Sequence, residues 1–185
     1  MEGLGVLPVQ PNGTSAALQQ IGYTVSMQVV FRKAIIPVEI RKLRGFDRKV
    51  FKKADLFSTE EWKEYESYWM IVDGTEVGCC ALQRNVDFQE DIRNDGTNPS
   101  MKGSLYILTT GILPGFRSRG LGRLLKSWEI AYAKYHGFNR VVTNTRERNT
   151  TMTSLNKKFG FKTIRKTPGY YSGPTEATVV MELKV

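Results

Sequence analysis

The sequence predicts a mixed α/β (α+β) fold, a sheet of about seven strands flanked by about four helices. Two observations carry this. Short runs rich in Val, Ile, Phe and Tyr alternate with amphipathic stretches of helical period, so helices interleave with strands. Asp73-Gly74 also sits between two apolar runs in WMIVDGTEVGCCALQ, a strong hairpin signal because type I′ turns need two residues that tolerate positive φ.

The elements follow in order. Residues 1–26 mix Pro, Gly, Asn and small residues without period and read as a loose arm; 27–185 read as one domain. MQVVFRKAII before Pro37 is a strand. In VEIRKLRGFDRKVFKKADLF, Val38, Ile40, Leu43, Phe46, Val50 and Phe51 follow a helical period, with Gly45 expected to break it in two. STEEWKEYESYW is a second helix, opened by a capping box of Ser58 and Glu61. The hairpin follows, and then a polar loop, VDFQEDIRNDGTNPSMKG. SLYILTTGIL is a strand in which Gly111 marks a bulge or a close approach. RLLKSWEIAYAKYHGF is a helix, with Leu124, Leu125, Trp128, Ile130, Ala131 and Tyr135 expected on its buried face. RVVTNTR is a strand and TTMTSLNKKFGF a short helix ending at Gly160. FKTIRK and ATVVMELKV close the chain as strands, with TPGYYSGPTE between them.

Composition bounds the function. Hydrophobic residues make up 41% of the 185 residues, enough for a core, and no apolar run approaches the ~20 residues that span a bilayer. No basic segment followed by an apolar one opens the chain, so cytoplasmic location is the expectation and no membrane partner is implied. The two cysteines, Cys79 and Cys80, are adjacent and on a strand would face opposite ways, which excludes a disulfide framework and a cysteine zinc site. The lone His136 precedes Gly137 at a helix end, and no metal site is expected. The net charge of +9 speaks to partners such as nucleic acid, an anionic cofactor or an acidic protein, and not to fold.

FRSRGLGRLL, from Phe116 to Leu125, carries the chemistry. A helix start offers unpaired N–H groups and the positive end of the macrodipole, so anions bind there. Glycines let a ligand approach the backbone. Arg117, Arg119 and Arg123 add charge and fork-shaped donors suited to phosphate. The Gly-Lys-Ser/Thr of a Walker loop is missing, and the third glycine of a dinucleotide fingerprint is replaced by Leu125.

A strand ending at Ile112-Leu113-Pro114, then Arg117-x-x-Gly120-x-Gly122, then a long helix, resembles the acyl-CoA-binding signature of the GNAT N-acetyltransferase superfamily. Asn149 and Gly160-Phe161 resemble the start and end of that family's last helix. Tyr170-Tyr171 and Ala177, with Glu176 in place of Asp, resemble the closing hairpin of its protein N-terminal acetyltransferase branch. The resemblance covers residues 27–185 and implies a mostly antiparallel sheet. It implies that the pyrophosphate of acetyl-CoA lies on the amides of Arg117, Ser118, Arg119, Gly120, Leu121 and Gly122. It implies that the pantetheine arm pairs with Gly111, Ile112 and Leu113, where two strands splay, and that an N–H near Ile112 polarises the thioester carbonyl. Asn149 would bond the pantetheine arm or fix the helix start.

Three positions where the family often carries acid or base groups hold Tyr106, Asn144 and Asn156. Asn156 and Tyr170 are the candidate catalytic residues; Tyr106, Tyr171 and Asp87, with Glu90 and Asp91 nearby, are candidates for the acceptor. A lysine amine needs about 4 kcal/mol to be neutral at pH ~7.5 and an α-amine under about 1 kcal/mol. A site without an obvious base therefore suits an α-amine, such as a peptide N-terminus or an amino acid, or an amine deprotonated through ordered water. The expected function is transfer of an acetyl group from acetyl-CoA to a primary amine by direct attack.

Two other readings stand beside it. One is a CoA-binding sensor or subunit without turnover. The other is a nucleic-acid-binding protein using Arg41, Lys42, Arg44, Arg48, Lys49, Lys52 and Lys53, though these alternate with core positions and read as a solvated helix face. The acceptor, the acyl-chain length and a homodimer are left open.

Overall fold

The computed structural model describes residues 27–51, 56–84, 103–172 and 174–185. The arm at 1–26 and the acceptor candidates Asp87, Glu90 and Asp91 lie outside the described residues. Strands and helices follow in the expected alternation. They are β1 (Val29–Lys33), α1 (Ile40–Phe51), α2 (Thr59–Glu64), β2 (Glu66–Val72), β3 (Thr75–Arg84), β4 (Ser104–Ile112), α3 (Leu121–Tyr135), β5 (Arg140–Arg146), α4 (Thr150–Lys158), β6 (Lys162–Ser172) and β7 (Thr175–Lys184), with a short 3₁₀ turn at Pro114–Phe116. The strands form one sheet in the order β1-β2-β3-β4-β5-β7-β6. Among these strands only β4 and β5 run parallel; each other pair is antiparallel.

Both faces of the sheet are covered. On one, Ile40, Leu43 and Phe46 of α1 and Trp62 of α2 pack on Trp69, Cys79 and Ala81. On the other, Leu121, Leu125 and Tyr132 of α3 pack on Met70, Cys80, Leu82, Leu105 and Ile107, and Phe161 after α4 joins them. Cys79 and Cys80 thus enter different cores, as strand alternation requires. Both are free, and burial pushes both thiols well up, so neither is a reactive thiolate.

Several expectations are corrected. Gly45 does not break α1: no atom lies within 4 Å of a Cβ built there, and the helix runs through it. The capping box at Ser58 and Glu61 is present, but α2 ends at Glu64, and Glu66–Tyr68 belong to β2. Tertiary pairing with β1 and β3 overrides the helical period there. The bulge in β4 falls at Leu108, where Ala81 pairs with Thr109 and Leu82 with Ile107. Gly111 is the close approach that the sequence also offered: a Cβ there would meet Val50 Cγ1 at 2.9 Å and Phe46 Cε1 at 3.3 Å, so α1 needs the glycine to sit on β4. Thr167–Tyr171 fall inside β6, where the pairing shifts register, and not in a loop.

The buried face of α3 also differs. It consists of Leu121, Leu125, Lys126, Glu129, Tyr132 and Ala133. Of the expected face, Leu125 is buried and Trp128 and Ile130 are partly buried against this core, whereas Leu124 and Ala131 are at the surface and Tyr135 is 70% exposed. Two charged residues lie on the inner face as a close ion pair, a pattern that a count of apolar positions misses: Lys126 Nζ is 2.6 Å from Glu129 Oε2.

Candidate active site

The sheet opens at its one parallel pair. β4 and β5 pair from Ser104↔Arg140 to Ile107↔Thr143 and no further, while β4 runs on to Ile112 and β5 to Arg146. The Thr143 hydroxyl donates to the Ile107 carbonyl at 3.1 Å at the vertex of this splay. Beyond it, β4 keeps its other edge on β3. The Leu113 N–H donates to the Val77 carbonyl on that side at 2.9 Å. Successive peptide groups of a strand point opposite ways, so the Ile112 N–H and C=O face the open side. The Ile112 carbonyl accepts from Arg117 Nε at 3.0 Å, and Arg117 Nη2 reaches the Val50 carbonyl at 3.2 Å. Arg117 therefore ties the end of β4 to the end of α1, and the N–H of Ile112 is left facing the splay.

The next turn forms the start of α3. Gly120 is its N-cap at φ 79°, and Ser118 has φ 62°. Left-handed residues in such a loop make the concave N–H arrangements that hold anions. Arg117 N–H is used, donating to the Pro114 carbonyl. Among the described residues, the N–H groups of Ser118, Arg119, Gly120, Leu121 and Gly122 meet no backbone acceptor. The unpaired run thus begins one residue later than the sequence implied. Arg119 is exposed, with its guanidinium 5.3 Å from the Phe116 ring centroid.

Gly122 has no packing reason to be glycine. An added Cβ would touch only Leu155 Cδ2 at 3.8 Å, an ordinary contact. Glycine inside a helix costs about 0.5–1 kcal/mol relative to alanine.

Across the splay, on the α1–α2 face, lies a cleft of about 300 Å³. It brings together Tyr106, Tyr170 and Tyr171, all three singled out by the sequence, with Asn144 at one of the three family positions. Tyr106 donates to Asn144 Oδ1 at 2.5 Å, and Asn144 Nδ2 donates to Thr178 Oγ1 at 3.3 Å. Tyr170 and Tyr171 stand edge to face at 5.0 Å, and the Arg146 guanidinium lies 4.1 Å from the Tyr171 ring centroid. Glu176 fixes this arrangement by accepting from Arg146 at 3.3 Å and from the Arg148 N–H at 2.6 Å.

Sequence reasoning missed the opposite wall of the cleft. Phe51, Phe57, Glu61 and Tyr65 come from α1, α2 and the residues beside them. Glu61 and Tyr65 are four apart at the end of a short helix, a spacing that could have flagged a shared face. Burial, and then the charges of Glu61 and Glu64, raise the Tyr65 hydroxyl above its ordinary value, so it acts as a neutral hydrogen-bonding group and not as a base.

Two candidates are not brought to the cleft. Asn149 is the N-cap of α4 and accepts from the Met152 N–H at 3.2 Å, so it fixes the helix start. Asn156 is fully buried; its amide donates to Met181 Sδ at 3.8 Å and its Oδ1 meets no partner among the described residues. His136 is the C-cap of α3, its ring tilted against Tyr132 with centroids 4.2 Å apart.

Among the described residues, then, the α/β sheet splays at its single parallel pair, beside a helix start whose five amides meet no backbone acceptor. A family model described as "Acetyltransferase (GNAT) family" matches residues 38–161, and the chain belongs to that family. Solved structures share the fold. The ribosomal-protein-S18-alanine N-acetyltransferase from Escherichia coli aligns at 14% identity over 85% of this chain and 94% of that one, with a TM-score of 0.68. Arabidopsis thaliana NAA60 in complex with acetyl-CoA aligns at 20% identity over 85% of this chain and 100% of that one, TM-score 0.69. The loading GNATL domain of CurA from Lyngbya majuscula aligns at 16% identity over 85% of this chain and 98% of that one, TM-score 0.69. At these identities the likeness is one of fold. No curated protein matches the sequence. Among the described residues, no helix is long and apolar enough to cross a membrane.

Proposed function

We propose that the protein is an acetyl-CoA-dependent N-acetyltransferase that acts on a primary amine, with an α-amine or peptide N-terminus favoured. The observation that carries this is the run of unpaired amides from Ser118 to Gly122, next to a β4 edge left open at Ile112. The residues fit an elongated anionic co-substrate. The amides and Arg119 would hold the pyrophosphate, and the exposed β4 edge would hold the pantetheine arm. When bound, acetyl-CoA would supply a thioester whose carbonyl carbon an amine attacks directly, forming C–N and breaking C–S, with CoA leaving as the thiolate and the nitrogen's surplus proton passing to solvent.

The chain's own residues do the rest. The Ile112 N–H would donate to the thioester carbonyl oxygen and so favour negative charge there. Arg117 holds the neighbouring carbonyl and so steadies that edge. Tyr106, Tyr170 and Tyr171 face Phe57 and Tyr65 across the cleft, and this lining suits an amine with an apolar or aromatic substituent. Glu61 gives the cleft a carboxylate that attracts the ammonium form. With no strong base among Tyr106, Asn144 and Asn156, proton loss goes through ordered water, which an α-amine tolerates far better than a lysine.

A second reading is a CoA-binding subunit or sensor without turnover. It is favoured by Asn156, which has no ionisable proton and is enclosed. Thiol release from acetyl-CoA in the presence of amino acids, short peptides, polyamines and aminoglycosides tests both. Turnover on at least one amine supports the enzyme. CoA binding with no turnover on any of them supports the sensor.

A further inference from the structure

We infer that the groove between α1 and α2 is a second anion site, for a ligand carrying two or more phosphate groups. The groove has a volume of about 570 Å³ and is lined by Arg41, Arg44, Arg48, Thr59 and Lys63, beside Val38, with no carboxylate in its lining among the described residues. It shares no residue with the start of α3 or with the tyrosine-lined cleft.

Geometry separates these cations from an ordinary solvated face. Arg41, Arg44 and Arg48 are spaced i, i+3, i+7, so they lie along one side of α1 over about 10 Å. Lys42, one residue away, turns aside to Glu76 and Glu39. Glu39 and Glu76 are thus used on the other side of the helix. Among the described residues, Arg41 and Arg48 make no hydrogen bond or ion pair. Arg44 donates from Nη1 to Thr59 Oγ1 at 2.8 Å, which orients its guanidinium across the two helices and leaves its other N–H groups for a ligand. Lys63 reaches the groove from α2 while bonded to Glu60 at 2.9 Å.

Three guanidiniums stacked on one helix face repel one another, by a few tenths of a kcal/mol per neighbouring pair. An anion removes that cost. The planar fork of arginine matches phosphate oxygens two at a time. A carboxylate would occupy one arginine, whereas three arginines in a groove of this size match several phosphate groups. The chemistry is shared by a small organic polyphosphate and a single-stranded nucleic-acid backbone. On the far side of α2, Glu61 and Tyr65 line the tyrosine cleft, so occupancy of the groove bears on the helix that walls the candidate acceptor site.

The test titrates tripolyphosphate and an oligouridylate into the full chain, with and without saturating CoA, and repeats both with an Arg41→Gln/Arg48→Gln variant. Both side chains are exposed, so the variant should keep the parent's circular dichroism. The expected result is saturable binding of tripolyphosphate that persists in excess CoA. It should weaken about tenfold or more in the variant, since each lost fork removes charge-assisted hydrogen bonds, while acetyl-CoA affinity stays unchanged. If oligouridylate binds more tightly than tripolyphosphate and loses affinity in the variant, the natural source is a nucleic-acid strand; the reverse order indicates a small polyphosphate. Equal affinity in parent and variant, no saturable binding, or equal binding of polyglutamate would overturn the proposal. Loss of tripolyphosphate binding on adding CoA would also overturn it, assigning that anion to the cradle on α3.

Discussion

Thr110 and Glu129 join the sheet to the helix that covers it: the Thr110 hydroxyl donates to Glu129 Oε1 at 2.6 Å, and both belong to segments that meet the proposed co-substrate. Glu129 Oε2 lies 2.6 Å from Lys126 Nζ, with both side chains out of solvent, though this approach falls outside hydrogen-bond angles. Lys126 in turn lies 5.7 Å from the Phe161 ring centroid. The contact fixes α3 laterally on β4, one residue before the Gly111-Ile112 edge. The helix start and the open strand therefore hold one relative position.

Removing one half of this pair leaves the other charged and buried. Glu129→Leu alone should lower stability by about 3–5 kcal/mol. Lys126→Met with Glu129→Leu should recover most of that loss, because it removes the desolvation cost of both ions. Urea denaturation of the three proteins measures this. The double variant should be nearly as stable as the parent but bind acetyl-CoA less well, since the Thr110 contact is gone.

Gly120 and Gly122 should respond differently. Gly120→Ala puts a side chain at φ 79° and should cost about 1–2 kcal/mol of stability. Gly122→Ala meets only Leu155 at 3.8 Å and should leave the melting temperature equal or higher, because alanine is the better helix residue by about 1 kcal/mol. Its acetyl-CoA affinity should nevertheless fall. A more stable protein with undiminished affinity would remove the argument for backbone approach at this position.

These cases show what was legible in the sequence. The capping box at Ser58, the Asp73-Gly74 turn and the glycine-rich start of α3 use local chemistry, and all three are present. Glu66–Tyr68 as strand, the bulge at Leu108 and the passage of β6 through Pro168-Gly169 depend on partners distant in sequence. Lys126 and Glu129 were hidden because polar residues read as surface until their mutual contact is seen. Half of the tyrosine cleft was legible, at Tyr106, Tyr170 and Tyr171. The other half is contributed by α1, α2 and Phe57, whose packing on the sheet no local motif announces.

Arg146 should govern acceptor binding and leave co-substrate binding alone. Its guanidinium covers Tyr171 at 4.1 Å and is held by Glu176. Arg146→Gln removes a cation–π contact worth about 1–2 kcal/mol. The KM for the amine should rise roughly tenfold, and calorimetry should find the acetyl-CoA Kd unchanged.

Acid should act partly through Glu39. A two-point hydrogen bond from Arg32, at 2.9 Å on each oxygen, together with the Ile35 N–H at 2.8 Å, lowers its carboxyl from 4.5 to about 2. The folded value lies below the unfolded one. The stabilisation is therefore full above pH 4.5 and disappears as pH falls toward 2. Arg32 is 35% exposed, so solvent screening reduces the contribution to about 1–2 kcal/mol. Glu39→Gln should be less stable than the parent by that amount at pH 7, and urea denaturation curves of the two should converge below pH 4.5.

The most direct measurement is calorimetric titration of acetyl-CoA into the parent and into Arg119→Glu, which places a carboxylate beside the five unpaired amides without disturbing the core. One-to-one binding in the parent, weakened at least about tenfold in the variant, is the predicted result. A folded parent that does not bind acetyl-CoA, or a variant that binds it equally well, would contradict the assignment of the Ser118–Gly122 amides to the co-substrate pyrophosphate.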